Sequence, residues 1–196
     1  STFHSACVRI LRRDIDRIGY DRDFTIYDTD DSKRVLKDVL KELNLDEKAF
    51  PPREVLSVLS NAKDRYETPE QFRAAVPSGD WRMERIAKVY ERYTVRLLAA
   101  NALDFDDLIF RTVSLLQTCP DVLAYYQDKF RYVLVDEYQD TNHLQYLLTA
   151  LLAGGRKNLC VVGDDDQSIY RFRGANIENI LSFERQYPKA RTIRLE

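Results

Sequence analysis

The chain has 196 residues, of which 44% are hydrophobic and 32% are charged, and its formal net charge is −2 at pH 7. This length and composition allow one or two compact domains with a proper core, and they exclude a low-complexity chain. No apolar stretch approaches the roughly 20 residues that span a bilayer and no signal peptide is visible, so the sequence predicts a cytoplasmic protein without a membrane partner.

The first predicted element is a helix from Ser5 to Ile18 with one apolar and one basic face. The basic face can meet the phosphates of a nucleic acid, or it can be a solvated face partly neutralised by Asp14 and Asp16. Both interpretations stay open on the sequence. The basic face consists of Arg9, Arg12, Arg13 and Arg17, and the apolar face of Val8, Leu11, Ile15 and Ile18.

Residues 30–131 predict six more helices, most of them marked by a capping side chain or a proline at the start. Their apolar stripes are typical of a helical core. The boundary between subdomains is expected within Asn101 to Asp104. Of these six helices, the first begins after Asp30-Asp31-Ser32 and ends at Asn44, the second begins at Pro52, and the third begins at Thr68-Pro69. The fourth runs from Asp80 to Ala102, the fifth from Asp104 to about Gln117, and the sixth from Pro120 to before Arg131.

An apolar run from Tyr132 to Val135 stops abruptly on two adjacent carboxylates, Asp136 and Glu137. The run has no polar alternation, which is typical of a parallel strand covered on both faces. Ligands of such sheets bind at the carboxyl ends of the strands. There Asp136 can hold Mg2+ against nucleotide phosphates and Glu137 can act as the base that orients a water. The alternative is that both residues merely cap the helix that begins near Asn142.

A second apolar run, from Leu159 to Val162, ends in another polar cluster. A helix predicted from Leu144 to Ala153 and closed by Gly154-Gly155 separates the two strands, which is the length that a parallel crossover needs. Both polar clusters should therefore face one edge of the same sheet. Gln167 in the second cluster can then meet the γ-phosphate that Glu137 serves. A third parallel strand is predicted at Thr192 to Leu195.

Just beyond Gln167, two aromatic residues and an arginine lie on one predicted loop. Tyr170 and Phe172 offer π faces, and Arg173 offers a guanidinium. Aromatic residues interleaved with arginine suit stacking on unpaired bases and contact with the phosphate backbone. Packing of this loop on the core is the other explanation. The three cysteines, Cys7, Cys119 and Cys160, have no paired spacing and are expected to be buried reduced thiols.

Four segments together resemble superfamily 1 DNA helicases of the UvrD/Rep/PcrA type. They are the DEYQDTN segment, the GDDDQSIYRFRGA segment, Thr2-Phe3-His4-Ser5 and Leu103–Leu108. The opening and closing segments are most similar to PcrA-type members. The resemblance covers essentially the whole chain, and four motifs in the family's order make it specific.

The resemblance implies an ATP-driven motor that uses Mg2+ and moves 3'-to-5' along single-stranded DNA, acting at single/double-strand junctions in repair or replication. It adds Thr2 and His4 to the expected DNA contacts. It also implies an α/β fold, in which a partial RecA-like parallel sheet with flanking helices carries an all-α insertion. The expected division is residues 1–5 at the end of one lobe segment, 6–102 as the helical insertion called 1B, and 103–196 as the later part of the lobe.

A phosphate-cradling P-loop needs Gly-Lys-Ser/Thr, and none of the six glycines is followed by lysine. In the resembled family that loop lies upstream, so the chain is expected to be a fragment that is inactive alone. Its incomplete sheet should leave an unpaired edge that favours self-association. A helicase-nuclease subunit and a non-catalytic nucleic-acid-binding module of the same fold are the alternatives.

Overall fold

The structure is a computed structural model that describes residues 1–163, 183, 187–191 and 193. The chain divides into two compact units, Ser1–Leu123 and Ala124–Glu196. Within the described residues, eight α-helices accompany two parallel two-stranded sheets, so the α/β class is confirmed. None of the described helices combines the length and apolar character needed to cross a membrane.

The described elements are strands and helices together with two short 3-10 turns, Ile15–Ile18 and Tyr138–Asp140. The strands are β1 Thr25–Ile26, β2 Ala102–Leu103, β3 Val133–Val135 and β4 Leu159–Val161. The helices are α1 Phe3–Asp14, α2 Thr29–Glu42, α3 Pro52–Asp64, α4 Pro69–Ala75, α5 Trp81–Ala99, α6 Phe105–Thr118, α7 Pro120–Lys129 and α8 His143–Ala153.

The helix starts show why the sequence signals work. Pro52 occupies the first turn of α3, where its missing N–H costs nothing. Thr68 and Gln71 form a reciprocal capping box at α4. The start predicted for α2, after Ser32, was four residues late, because Asp28 is the cap and accepts hydrogen bonds from the N–H groups of Asp30 and Asp31.

Helices α2, α3, α4 and α5 share one apolar core. Tyr90 and Tyr93 of α5 are among its largest fully buried side chains, and the Tyr90 hydroxyl donates a hydrogen bond to the Glu67 carbonyl at 2.9 Å. The core is therefore apolar with a few satisfied polar groups, as stable interiors require. Its buried residues are Leu36, Val39, Leu40, Phe50, Val55, Leu59, Ala62, Phe72, Ile86, Ala87, Val89, Tyr90, Tyr93, Leu97 and Ala102.

A two-residue parallel bridge between β1 and β2 has no counterpart among the predictions. Helix α5 ends at Ala99 rather than Ala102, because Asn101 adopts a left-handed conformation with φ of 47° that stops the helix. The chain then pairs with β1, where the Tyr27 N–H donates to the Leu103 carbonyl at 2.8 Å. This bridge holds the residues that lead directly into α6.

In the second unit, β3 and β4 pair in parallel, with Val133 opposite Leu159 and Val135 opposite Val161. The predicted strand–helix–strand unit is thus confirmed. The prediction that β3 is covered on both faces is wrong, because α8 packs on the strand while Leu134 remains 74% exposed. Burial of every cysteine was also expected. Cys7 and Cys119 are buried, but Cys160 of β4 is exposed. The third predicted strand, Thr192 to Leu195, lies outside the described residues apart from Ile193.

Candidate nucleotide and DNA sites

The ends of β3 and β4 lie at one edge of the sheet. The Val162 N–H donates to the Val135 carbonyl at 2.8 Å, and the Tyr138 N–H donates to the Val162 carbonyl at 2.9 Å. Asp136 and Glu137 follow β3 directly, and both are exposed. The chain leaving β4 therefore reaches Gly163 beside this acidic turn, as the crossover predicted.

The turn that carries the two carboxylates has a strained backbone. Glu137 is left-handed, with φ of 51° and ψ of 44°, in a region that non-glycine residues adopt at a cost of about 1–3 kcal/mol. The Asp136 carboxylate stabilises the turn by accepting the Glu137 N–H at 3.0 Å. Asp136 therefore contributes to the local backbone geometry of the turn.

Gln139 orients the Glu137 carboxylate. Its Nε2 donates to Glu137 Oε2 at 2.6 Å, and Gln139 itself is only 2% exposed. A buried amide that holds an exposed carboxylate fixes the position of that carboxylate. Our sequence reasoning missed Gln139, since nothing in its spacing distinguishes it from a polar turn residue.

The alternative interpretation, that Asp136 and Glu137 cap α8, is wrong. Asn142 is the N-cap of α8, and it forms a reciprocal capping box with Gln145. The two carboxylates are therefore not required to satisfy the helix terminus. The other predicted site residues of this region, Gln167, Tyr170, Phe172 and Arg173, lie outside the described residues.

The first unit presents an exposed aromatic stack near its N-terminus. His4 of α1 and Phe105 of α6 have ring centroids 3.8 Å apart with an interplanar angle of 21°, and Phe105 is 55% exposed. Burial lowers the pKa of His4 below its usual value, so the imidazole is neutral at pH 7 and contributes a π face. The predicted contact Thr2 lies next to it as the exposed N-cap of α1.

A protein-family model described as the UvrD/REP helicase N-terminal domain matches residues 1–188. The chain belongs to the UvrD/REP helicase family. It is 57% identical over all its 196 residues to proteins named ATP-dependent DNA helicase PcrA from Staphylococcus epidermidis strain ATCC 12228 and Staphylococcus aureus strain NCTC 8325. The chain spans 27% of the length of each of these relatives.

The predicted arginine stripe of this UvrD/REP helicase chain, which runs from α1 into the following 3-10 turn, is largely engaged within the molecule. Arg17 binds both oxygens of Asp121 at 2.8 and 3.2 Å. Arg12 lies 3.9 Å from the centroid of the Phe24 ring and donates to the Arg22 carbonyl. Arg9 donates to the Ser1 hydroxyl at 2.9 Å, a neutral partner. For Arg12 and Arg17 these contacts favour a structural role over phosphate binding.

A buried cluster of charges, which we name the Lys63 cluster, joins α3 to α6. It comprises Lys63, Asp104, Asp107 and Arg111. Lys63 is 2% exposed and Asp107 is 1% exposed. Lys63 Nζ donates to Asp104 Oδ2 at 2.7 Å and lies 3.0 Å from Asp107 Oδ1. Tyr93 adds a hydroxyl donation to Asp104 Oδ2 at 3.1 Å.

The two carboxylates of the Lys63 cluster differ in their surroundings. Burial would lower the pKa of Lys63, but Asp104 and Asp107 outweigh it and hold that pKa well above its usual value. Burial opposes ionisation of Asp104, yet the charge and hydrogen bond of Lys63 lower its pKa. Burial and the charge of Asp104 raise the pKa of Asp107, whose Oδ1 accepts no hydrogen bond. Our sequence reasoning did not find this cluster.

Proposed function

We propose that the full-length protein containing this chain is an ATP-dependent DNA helicase that couples ATP hydrolysis to 3'-to-5' movement on single-stranded DNA in repair or replication. Membership of the UvrD/REP helicase family and the names of the relatives support this. We also propose that it acts in the cytoplasm on single strands and single/double-strand junctions. Within it, residues 1–5 and 103–196 belong to the RecA-like lobe and residues 6–102 form the helical insertion.

The acidic turn after β3 is the observation that supports hydrolysis. Glu137 acts as the base that orients the attacking water, and its contact with Gln139 keeps the carboxylate in place before ATP binds. Gln167, outside the described residues, is the proposed contact of the γ-phosphate. The left-handed backbone of Glu137 and the distinct contacts of the two adjacent carboxylates support this division of labour.

Asp136 holds Mg2+ in this proposal. Its Oδ1 accepts one backbone N–H, and the carboxylate is otherwise exposed at the strand end. Within residues 1–163 and the other described positions, no three His, Cys, Asp or Glu side chains gather to hold a metal by themselves. Mg2+ binds through one or two carboxylates together with substrate phosphates, and Asp136 would be such a carboxylate. The ion would neutralise charge on the phosphates during transfer.

DNA binds to the aromatic surfaces. The His4–Phe105 stack offers an exposed ring at the start of α6, and Thr2 lies beside it. Tyr170, Phe172 and Arg173, which lie outside the described residues, are the other proposed DNA contacts. Stacking on aromatic side chains is tolerant of sequence, as a translocating motor requires.

Substitution of Glu137 in the full-length protein tests the proposal. Glu137→Gln should preserve binding of a fluorescent ATP analogue yet lower turnover with single-stranded DNA by orders of magnitude, because positioning the water is much of what the protein contributes. Asp128→Asn is the matched control, since Asp128 is an exposed carboxylate paired with Arg156 on the same unit. Equal turnover by the Glu137→Gln variant and the wild type would overturn the proposed role.

A further inference from the structure

The Lys63 cluster includes residues of the first turn of α6, the turn that carries Phe105 of the exposed aromatic stack. Asp104 is the N-cap of α6, and its Oδ1 accepts the Asp107 N–H at 2.8 Å. Phe105 is the next residue and the first of the helix. Lys63 contacts the cap residue and Asp107 at once, so one ammonium group spans the first turn of α6 from the side of α3.

A buried, ion-paired lysine contributes little net stability by itself. Desolvation of two or more charges opposes much of their attraction, and apolar side chains of similar volume often replace such groups without loss. The polar arrangement does, however, restrict geometry at Asp104, because both of its carboxylate oxygens have defined partners. Asp104 Oδ2 receives both Lys63 and the Tyr93 hydroxyl, while Oδ1 is occupied by the helix backbone.

The first turn of a helix is otherwise the part most free to fray, since its N–H groups lack partners within the helix. Phe105 lies in this turn and is 55% exposed, so packing around the ring holds it only in part. The backbone before it is held by the β1–β2 bridge. The backbone after it is held through Asp107, which faces Lys63.

We propose that Lys63 is a positioning residue for DNA binding, which clamps Asp104 and Asp107 and thereby holds the Phe105 ring against His4 in the orientation that receives a base of single-stranded DNA. This inference rests on the proposed DNA-binding function. Lys63 does not touch the nucleic acid, because it is 2% exposed. It acts through the first turn of α6. A residue of the helical segment therefore sets the quality of a stacking surface that it does not form.

The test uses the full-length protein and a fluorescein-labelled thymidine oligonucleotide, with affinity measured by anisotropy. Lys63→Met/Asp107→Asn removes one positive and one negative charge, so that the formal charge of the buried cluster stays balanced. Phe105→Ala removes the ring, and the triple variant combines both changes. Lys37→Met is the matched control, because Lys37 is an exposed lysine paired with Glu47. Thermal unfolding curves identify a temperature at which every variant is folded, and binding is compared at that temperature.

Phe105→Ala should weaken binding about 5- to 150-fold, the range expected for loss of one stacked base. Lys63→Met/Asp107→Asn should weaken it about 3- to 10-fold, and the triple variant should bind no more weakly than Phe105→Ala. This non-additivity is the decisive result. If the Lys63 variant only loosened the fold in general, its loss of affinity would multiply with the loss caused by Phe105→Ala. If the double variant does not fold, Asp104→Asn takes its place, because asparagine retains the cap and removes the charge that Lys63 binds.

Wild-type affinity in the variant that lacks the Lys63 contact, or a loss that multiplies with Phe105→Ala, would overturn the positioning role. Unchanged affinity of Phe105→Ala would also overturn it, by removing the ring from the DNA track. None of these three results contradicts the proposed helicase activity, which is tested separately by Glu137→Gln. Absence of any single-strand binding by the wild type would instead contradict the proposed function itself.

Discussion

The Lys63→Met substitution is expected to destabilise this chain by about 3–5 kcal/mol at pH 7, the cost of removing one partner from a buried ion pair. Lys63, Asp104 and Asp107 are 2%, 7% and 1% exposed, so water cannot replace the lost ammonium. Methionine has a similar length and an apolar stem, so little packing is lost. The penalty is therefore electrostatic and arises from two carboxylates left without their main cation.

Thermal unfolding by far-ultraviolet circular dichroism measures the effect. A chain of 150–250 residues changes its Tm by roughly 2–4 °C per kcal/mol, so the Tm should fall by roughly 6–20 °C. Without Lys63 the pKa values of Asp104 and Asp107 rise in the folded state. Stability of the variant relative to the wild type should then be lost as pH rises and regained as pH falls, because protons neutralise the carboxylates.

The exposed pair of Lys37 and Glu47 provides the control, since Lys37→Met should change stability by about 0.5 kcal/mol or less. The double variant Lys63→Met/Asp107→Asn should recover part of the lost stability. A Tm equal to that of the wild type, or a penalty that stays constant from neutral to acidic pH, would refute the reasoning.

Three other outcomes are expected of the isolated 196-residue chain. It should release no phosphate from ATP with single-stranded DNA and Mg2+ in a malachite-green assay, and turnover above a Glu137→Gln variant would contradict this. Burial and then the charge of Asp106 raise the pKa of Asp64 to about 6. The stability that protonated Asp64 gives the folded chain is present below about pH 4 and is lost as pH rises through about 6. Asp64→Asn should therefore raise the free energy of unfolding in urea at pH 7 by roughly 1 kcal/mol, a value discounted for partial exposure. An unchanged free energy of unfolding would refute the raised pKa. The exposed apolar face with Leu134 should cause self-association, and Leu134→Lys should lower the sedimentation coefficient at high concentration. Equal sedimentation of both proteins would remove that face from the contact.

The helical part of the fold was largely predictable because its signals are local. Pro52, Thr68 and Asp104 each mark a helix start through chemistry confined to one turn. The β1–β2 bridge was not predictable, since two residues per strand leave no periodicity to detect. Its partners are also far apart in sequence, with Thr25 opposite Ala102.

The candidate sites were predictable only where the chain itself places residues together. Asp136 and Glu137 end a strand, so their position at the sheet edge follows from the pattern. Lys63 lies in the last turn of α3, where a basic residue usually faces solvent and complements the helix dipole. Its burial depends on Asp104, which is 41 residues further along the chain. No local pattern contains that contact.

The net charge of −2 leads to a last prediction, which concerns salt. Several arginines are neutralised within the molecule, including Arg17 by Asp121. If the part of the DNA track in this chain works by stacking, Phe105→Ala in the full-length protein should weaken single-strand binding with little change in the slope of log affinity against log salt concentration. Loss of one phosphate contact would instead reduce that slope by about 0.7.

Arg9 provides the contrast, because its hydrogen-bonding partner is the neutral Ser1 hydroxyl and its charge is available to a phosphate. Arg9→Gln should reduce the salt slope by about 0.7 if α1 contributes a phosphate contact, and it should leave the slope unchanged if the stripe is only a solvated face. Anisotropy titrations at several salt concentrations decide between these outcomes. A slope reduced as much by Phe105→Ala as by Arg9→Gln would show that the aromatic stack organises phosphate contacts, and stacking alone would then not explain its contribution to affinity.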